Sequence, residues 1–109
     1  MYKKILALRD ELTMLSKNPL EYPQGRKFSK EELAEALRYS IIAELDAINL
    51  YLQFARAIED KRFRKVFEEV AREEKTHVGE FLALLKILDE EQVKELEKGL
   101  EEVREIIEL

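Results

Sequence analysis

The stretch VAREEKTHVGEFLALL, residues 70–85, repeats apolar residues at intervals of three and four, which is the period of an amphipathic α-helix. Val70, Phe81 and Leu84 fall along one side of that helix. Glu74 and His77, the only histidine of the chain, fall on the same side. A carboxylate in an apolar interface costs free energy unless it is paired or binds a cation. These two residues therefore need a partner across the interface.

The composition around this stretch favours an all-α fold. The 109 residues are 46% hydrophobic and 39% charged, with three Gly and two Pro, so turns are few and helices long. We expect one domain with an N-terminal helix and linker (1–29), a helical hairpin (30–88) and a C-terminal helix (89–109). Helices are predicted over 2–16, 30–59, from Asp60 to 88, and over 90–108, with Ser29, Asp60 and Asp89 as N-caps. The short connection near residue 60 predicts that the two long helices pack antiparallel.

Charge and residue types argue against several classes of function. A net charge of −5 is unlike that of most nucleic-acid-binding proteins. The absence of cysteine excludes disulfides, thiolate metal sites and Fe–S clusters. No run of about 18 apolar residues could span a membrane, and the charged N-terminus does not resemble a signal peptide. We therefore expect a cytoplasmic protein with neither a nucleic-acid nor a membrane partner.

Steps of four and three residues define an apolar line on each long helix, here called the seam. On the first helix the seam is Leu37, Ile41, Glu44, Ile48, Tyr51, Ala55 and Ile58; on the second it is Phe63, Phe67, Val70, Glu74, His77, Phe81, Leu84 and Leu88. Glu44, Glu74 and His77 interrupt it, each near the middle of its helix. Since the middles of antiparallel helices lie side by side, we expect these three side chains to meet at one level.

Two carboxylates and one imidazole form the ligand set of an oxygen and nitrogen metal site. Di-iron carboxylate bundles use one Glu from each of two helices and Glu-x-x-His from each of two others. This chain carries half of that set, in Glu44, Glu74 and His77, and two copies related by a two-fold axis would complete it. Tyr51, on the same seam, is either a core residue or a hydrogen-bond donor to a ligating carboxylate.

The segments IIAELDAINLY (41–51) and VAREEKTHVGEFLALL (70–85) closely resemble the encapsulated ferritin family, short ferritin-like proteins associated with encapsulin compartments. The resemblance covers roughly residues 30–95. It implies a ferritin-like domain in which the hairpin and C-terminal helix form half a bundle, and dimerisation completes a four-helix bundle. Dimers are expected to assemble into a ring, typically a decamer. Glu44, Glu74 and His77 are then the iron ligands, and Tyr51 matches a tyrosine that supports them.

The implied activity is that of a ferroxidase, which oxidises Fe²⁺ to Fe³⁺ with O₂ at a di-iron site shared between two subunits. The resemblance also implies iron storage inside an encapsulin compartment, with the shell protein as a partner. Ala43 and Leu50 stand where family members often carry an acidic residue and a tryptophan, so an outer metal site is not expected with the same ligands. The family's Gly/Leu-rich encapsulation tail is missing, which fits a free-standing member or a domain of a shell fusion.

Other interpretations of the same residues remain open. If the hairpin is turned about its axis, Glu74 and His77 lie at a wet boundary and bind nothing. A non-enzymatic helical oligomerisation module would use the polar residues to set the register of its helices. A rubrerythrin-like di-iron peroxidase would use the same ligands, although it normally needs a Cys-ligated electron-transfer domain.

Overall fold

The computed structural model describes residues 25–108, which form three α-helices and no β-strand. Helix α1 spans Lys30–Ala57, α2 spans Lys61–Leu88 and α3 spans Glu90–Ile107. The all-α fold class is confirmed. The predicted N-terminal helix over 2–16 lies outside the described residues, and the proposed division of the chain at 29 and 88 stays a prediction. None of these three helices is both long and apolar enough to cross a membrane.

The start of α1 is fixed by a reciprocal pair of hydrogen bonds. The Ser29 hydroxyl accepts from the backbone N–H of Glu32 at 3.1 Å, and the Glu32 carboxylate accepts from the backbone N–H of Ser29 at 2.9 Å. The two bonds form a capping box at the predicted N-cap Ser29. The guanidinium of Arg26 donates to the same carboxylate at 2.7 Å. Two of the N–H groups that every helix start leaves unpaired are thereby satisfied.

The connection between α1 and α2 is residues 58–60, longer than expected because α1 ends at Ala57 rather than Glu59. Ile58 already has an extended backbone, with φ −86° and ψ 126°. Asp60 caps α2 as predicted, with its carboxylate accepting from the backbone N–H of Arg62 at 2.9 Å. From α2, Arg64 donates to the Ile58 carbonyl at 2.8 Å, which satisfies an acceptor at the end of α1. So short a connection makes the helices antiparallel.

Contacts between the long helices follow that antiparallel register. Leu37 near the start of α1 packs against Leu85 near the end of α2, while the Tyr51 and Phe67 rings meet edge to face at 6.0 Å. Within residues 25–108 the buried apolar side chains are Ala34, Leu37, Ile48, Ala55, Ala71 and Leu85. Half of these are alanines, which let the helices approach closely but fill little volume. The core inside one hairpin is therefore thin.

Part of the predicted seam of α2 does not face α1. Ala71 and Leu85 are only 1% and 2% exposed, so the line that they define faces α1. Phe63 and Leu84, both seam residues, are 62% and 49% exposed, and Val66 beside them is 60% exposed. Close packing at the small Ala71 side chain turns the bulky residues outward. We call the side of the hairpin that carries Leu33, Phe54, Phe63, Val66, His77 and Leu84 the open face.

Helix α3 meets the hairpin mainly at its first turn. Asp89 ends α2 and also caps α3, accepting from the backbone N–H of Gln92 at 2.9 Å. Arg38 of α1 forms an ion pair with Asp89 and donates to the Gln92 side chain at 3.3 Å. No residue of α3 is buried, and its apolar line includes Leu100, which is 50% exposed. The orientation of α3 therefore depends on a few polar contacts.

Candidate metal centre

The structure brings together the three side chains that interrupt the seam. Glu44 lies in the middle of α1, and Glu74 and His77 lie in the middle of α2. One potential ligand atom from each lies within 4.8 Å of the others. It is the cluster of metal-ligating side chains found within residues 25–108. Antiparallel packing produces this meeting, because it sets the centres of two helices of equal length side by side.

The imidazole of His77 lies closer to the carboxylate of Glu74 than to that of Glu44. Nδ1 of His77 lies 3.3 Å from Oε2 of Glu74, within hydrogen-bonding distance. The same nitrogen lies 3.6 Å from Oε2 of Glu44, beyond that distance. The Glu44 Oε2 atom is buried and has no hydrogen-bond partner. A buried carboxylate oxygen without a partner is costly, and it marks a position where a cation would be stabilised.

The burial and the charge of the cluster also favour a bound cation. The Glu44 and Glu74 side chains are 19% and 18% exposed, whereas His77 is 44% exposed. Within the described part of the chain, no Lys or Arg forms an ion pair with either carboxylate; both pair with His77 instead. One imidazole can offset at most one of two carboxylate charges. A divalent cation among the three side chains would neutralise both and satisfy the free oxygen, so these residues fit a metal such as iron, manganese or zinc.

The cluster opens toward the outside of the hairpin through His77. Its imidazole lies on the open face, between the exposed Val66 and Leu84 along α2. A single hairpin offers three ligand side chains, and the same three from a second hairpin would give four Glu and two His. That is the ligand set of di-iron carboxylate bundles. One chain thus carries half of that ligand set.

Tyr51 lies seven residues after Glu44 on α1. Its ring packs edge to face on Phe67, with the centroids 6.0 Å apart. Within residues 25–108, the hydroxyl makes no hydrogen bond to Glu44, Glu74 or His77. A role in supporting a ligand therefore stays a prediction.

Sequence reasoning expected two hairpins to dimerise through the seam, and the structure leaves Phe63 and Leu84 of the α2 seam exposed. It did not identify the apolar surface that lies outside the seam. A signal was present in α1, where apolar residues off the seam exceed what one hairpin contact can cover: Ile42, Leu45, Leu50 and Phe54, all at least 42% exposed. A helix that is apolar on several sides needs neighbours on several sides.

Comparisons with known proteins show which family the chain resembles. The rubrerythrin family model matches residues 35–108. The chain is 60% identical over 93 residues to a ferritin-like-encapsulin shell fusion protein of Pyrococcus furiosus, which covers 85% of this chain but 27% of the fusion. It is 36% identical over 87 residues to the encapsulin nanocompartment cargo protein EncC of Myxococcus xanthus, covering 80% of this chain and 67% of that protein.

A solved structure gives the same result for the fold. The crystal structure of the encapsulated ferritin domain from Pyrococcus furiosus superposes with a TM-score of 0.78 at 58% sequence identity. The match covers 87% of this chain and 97% of that domain. The chain spans about a quarter of the length of the fusion protein and about two thirds of the length of EncC. The matches therefore identify the family of the chain and do not assign it the activity of either whole protein. On sequence, family model and fold together, the chain belongs to the encapsulated ferritin-like family.

Proposed function

We propose that the chain is a ferroxidase, which oxidises Fe²⁺ to Fe³⁺ with O₂ at a di-iron site formed by two subunits. The observation that carries this proposal is the cluster of Glu44, Glu74 and His77 with its buried, unpartnered Glu44 oxygen. Iron is here the substrate, bound as Fe²⁺. The carboxylates would bind it as hard oxygen ligands and His77 as a nitrogen ligand.

The residues of the chain would act by positioning and by charge. Two copies of the cluster bring four carboxylates to two Fe²⁺ ions, which neutralises the ions and favours the more highly charged ferric product. Holding two Fe²⁺ together lets one O₂ take an electron from each; with two protons from water it leaves as hydrogen peroxide. His77, the most exposed of the three at 44%, lies on the side that the second subunit would approach.

The proposed partners follow from the incomplete ligand set of one chain and from the names of its relatives. A dimer is the minimum assembly that completes the ligand set, and we propose that dimers form a ring-shaped decamer. The relatives are named as an encapsulin shell fusion and as an encapsulin cargo protein. We therefore propose that this chain works inside an encapsulin compartment, where it supplies ferric iron for storage.

An anaerobic titration with Fe²⁺, followed by exposure to O₂, tests the activity. We expect one Fe²⁺ bound per chain and oxidation that is lost in Glu44→Ala, Glu74→Ala and His77→Ala. Glu95→Gln is the matched control, because Glu95 is an exposed carboxylate of α3, away from the cluster. If Glu44→Ala oxidises Fe²⁺ at the wild-type rate, the cluster is not the site of the oxidation. Metal-free protein that assembles normally and binds no iron would favour the oligomerisation module.

The match to the rubrerythrin family model favours one alternative, a di-iron peroxidase. The same residues would then hold two Fe²⁺ ions that each give one electron to hydrogen peroxide, which with two protons becomes two molecules of water. Single-turnover oxidation of the iron-loaded protein separates the two activities. A rate with O₂ at least as fast as with an equal concentration of H₂O₂ supports the ferroxidase, and a much faster rate with H₂O₂ supports the peroxidase.

A further inference from the structure

Helix α3 presents an apolar line that stays largely exposed within residues 25–108. The line repeats in steps of three and four residues, the spacing of a helix that packs against another helix. Its members are Val93, Leu96, Leu100, Val103 and Ile107. The last four are 39–56% exposed, and no residue of α3 is buried. An apolar line of this length on a charged helix marks a surface that another helix covers.

The chain has a segment with a matching line before the described residues. The sequence predicts a helix over 2–16, whose apolar side is Ile5, Leu8, Leu12 and Leu15. These residues are spaced three, four and three apart, which is also the spacing from Val93 to Val103 in α3. An isolated helix of about 12–15 residues is marginal in water and gains most of its stability by packing an apolar face. The predicted helix and α3 therefore each need an apolar partner of the same length.

The segment is tethered close to the start of α3. Arg26, just after the segment, pairs with Glu32 in the first turn of α1 at 2.7 Å. Arg38 lies six residues further along α1 and contacts Asp89 at the start of α3. Those six residues rise about 9 Å, whereas the eight residues 17–24 can span about 26 Å. The end of the predicted helix can therefore reach the first turns of α3.

Charge also favours α3 as the partner of this segment. Between Glu90 and Ile107, α3 carries seven Glu against three Lys or Arg. Residues 2–16 carry three Lys or Arg against two acidic residues. An acidic helix and a slightly basic segment are complementary, and this complementarity selects between partners of similar apolar shape.

The apolar residues of α1 away from the open face offer a poorer partner. Ile42 and Leu45 are 58% and 48% exposed, but the same line continues as Arg38 on one side and Asn49 on the other. Two apolar residues cannot cover a line of four. The open face carries the metal cluster, which the proposed function assigns to a second subunit.

We propose that residues 2–16 pack antiparallel along α3 of the same chain, with Leu8 level with Leu100 and Leu15 level with Val93. In this register Arg9 flanks the apolar line beside Glu97. A parallel pair would set Leu15 about 15 Å further along α3, so the linker would have to run back along the helix. A tether of eight residues gives an effective concentration on the order of millimolar, which favours the same chain over a second copy. The proposal does not depend on the metal centre.

Engineered cysteines test this pairing, since the chain has none of its own. The double variant Arg9→Cys/Glu97→Cys is made in the full chain, mixed with an equal amount of the same variant labelled with ¹⁵N, and treated with a short thiol crosslinker. We expect mass spectrometry of the digest to find the link within single chains. The matched control is Asp10→Cys/Glu97→Cys, because Asp10 falls on the opposite side of the predicted helix. It should give at most about a tenth of that product.

Two outcomes of the crosslinking would overturn the proposal. Links found only between labelled and unlabelled chains would mean that a second copy covers α3. No link, or equal links in the two double variants, would mean that residues 2–16 do not pack on α3 in this register.

Amide exchange of the full chain gives an independent measurement. Leu12→Asp should speed exchange in α3 at least about tenfold and leave exchange in the middle of α1 and α2 unchanged, because it breaks only the apolar contact with α3. Thr13→Asp, which adds the same charge beside the apolar line, is the control and should leave α3 unchanged. If Leu12→Asp does not alter exchange in α3, the segment does not cover this helix and the proposal is wrong.

Discussion

Nδ1 of His77 on α2 lies 3.6 Å from Oε2 of Glu44 on α1, so the cluster spans the two helices of the hairpin. The contact is too long for a hydrogen bond, and the Glu44 oxygen has no other partner. Two carboxylates are thus held near each other in a half-buried position with one imidazole between them. Without a cation this arrangement opposes folding, because a desolvated carboxylate loses hydrogen bonds to water that nothing replaces.

Glu44→Leu should therefore stabilise the metal-free protein while removing its response to metal. We expect the free energy of unfolding in EDTA to rise by about 1–3 kcal/mol, the cost of an unsatisfied buried polar group. The wild-type protein should instead gain about 2.7 kcal/mol at a metal concentration one hundred times its Kd. Guanidinium unfolding with EDTA and, anaerobically, with Fe²⁺ measures both. Glu95→Leu, on exposed α3, is the control. A less stable metal-free Glu44→Leu would mean that the carboxylate has a partner in the assembly.

The capping box predicts a pH dependence at the start of α1. The hydrogen bond from Arg26 is the main cause that lowers the pKa of Glu32 from 4.5 to about 2, with help from the Ser29 backbone N–H. Because this pKa is lowered on folding, the ionised carboxylate stabilises the helix start above about pH 4.5. That contribution is lost as the pH falls from 4.5 toward 2.

Amide exchange of the first turn of α1, or helicity by circular dichroism, measures this effect between pH 6 and 2. Glu32→Gln should lose the contribution at every pH and show a flatter profile over that range. Arg26→Gln should move the loss of stability to higher pH. An identical profile for the wild type and Glu32→Gln would show that the hydrogen bonds with Arg26 and Ser29 do not form in solution.

The helices could be predicted from the sequence because their signals are local. Ser29, Asp60 and Asp89 were all expected as N-caps, and all three cap a helix in the structure. The meeting of Glu44 with Glu74 and His77 followed from one further step, the antiparallel register of a hairpin with a short connection. Both inferences depend only on spacing along the chain and on the short range of capping contacts.

The rotation of α2 about its axis could not be predicted in the same way. Heptad spacing cannot tell whether Phe63 or Ala71 faces α1, because both lines are apolar. The structure buries Ala71 to 1% exposure and leaves Phe63 62% exposed. The line that contains the small Ala71 faces α1 because the two helices can approach closely there. This preference depends on how the two helices pack together and is not visible in the spacing of either helix alone. The assembly could not be predicted from the sequence of one chain for the same reason, because the open face is buried only when a second molecule covers it.

Arg38 and Asp89 should control how firmly α3 is held to the hairpin. Arg38 reaches from α1 to the Asp89 carboxylate and to the Gln92 side chain. Asp89 also caps α3, and the backbone hydrogen bond from Gln92, followed by Arg38, lowers the pKa of its carboxyl. Asp89→Ala removes both the cap and the ion pair, whereas Arg38→Ala removes only the ion pair. We expect Asp89→Ala to destabilise α3 more than Arg38→Ala does.

Limited proteolysis at the junction of α2 and α3, together with amide exchange along α3, measures the attachment of this helix. Both variants should speed cleavage near residues 88–92 and leave exchange in the middle of α1 and α2 unchanged. Asp89→Asn, which keeps a capping oxygen, should resemble Arg38→Ala. Equal effects of Asp89→Ala and Asp89→Asn would mean that the cap contributes nothing, and unchanged exchange in all variants would mean that other contacts hold α3.

Two glycines should respond in opposite directions to the same substitution. Gly79 lies within α2, where a Cβ would meet nothing within 4 Å, and glycine costs a helix interior about 1 kcal/mol relative to alanine. Gly79→Ala should therefore raise the free energy of unfolding by about that amount. Gly25 has a φ of +85°, which an L-residue adopts only with strain, so Gly25→Ala should lower the free energy of unfolding by about 1 kcal/mol. Guanidinium unfolding of both variants at matched protein concentration is the measurement. Gly79→Ala improves the intrinsic helix propensity of this position. If the variant is nevertheless less stable, a second backbone approaches α2 at this position in the assembled protein. Size-exclusion chromatography of the variant should then show weaker association.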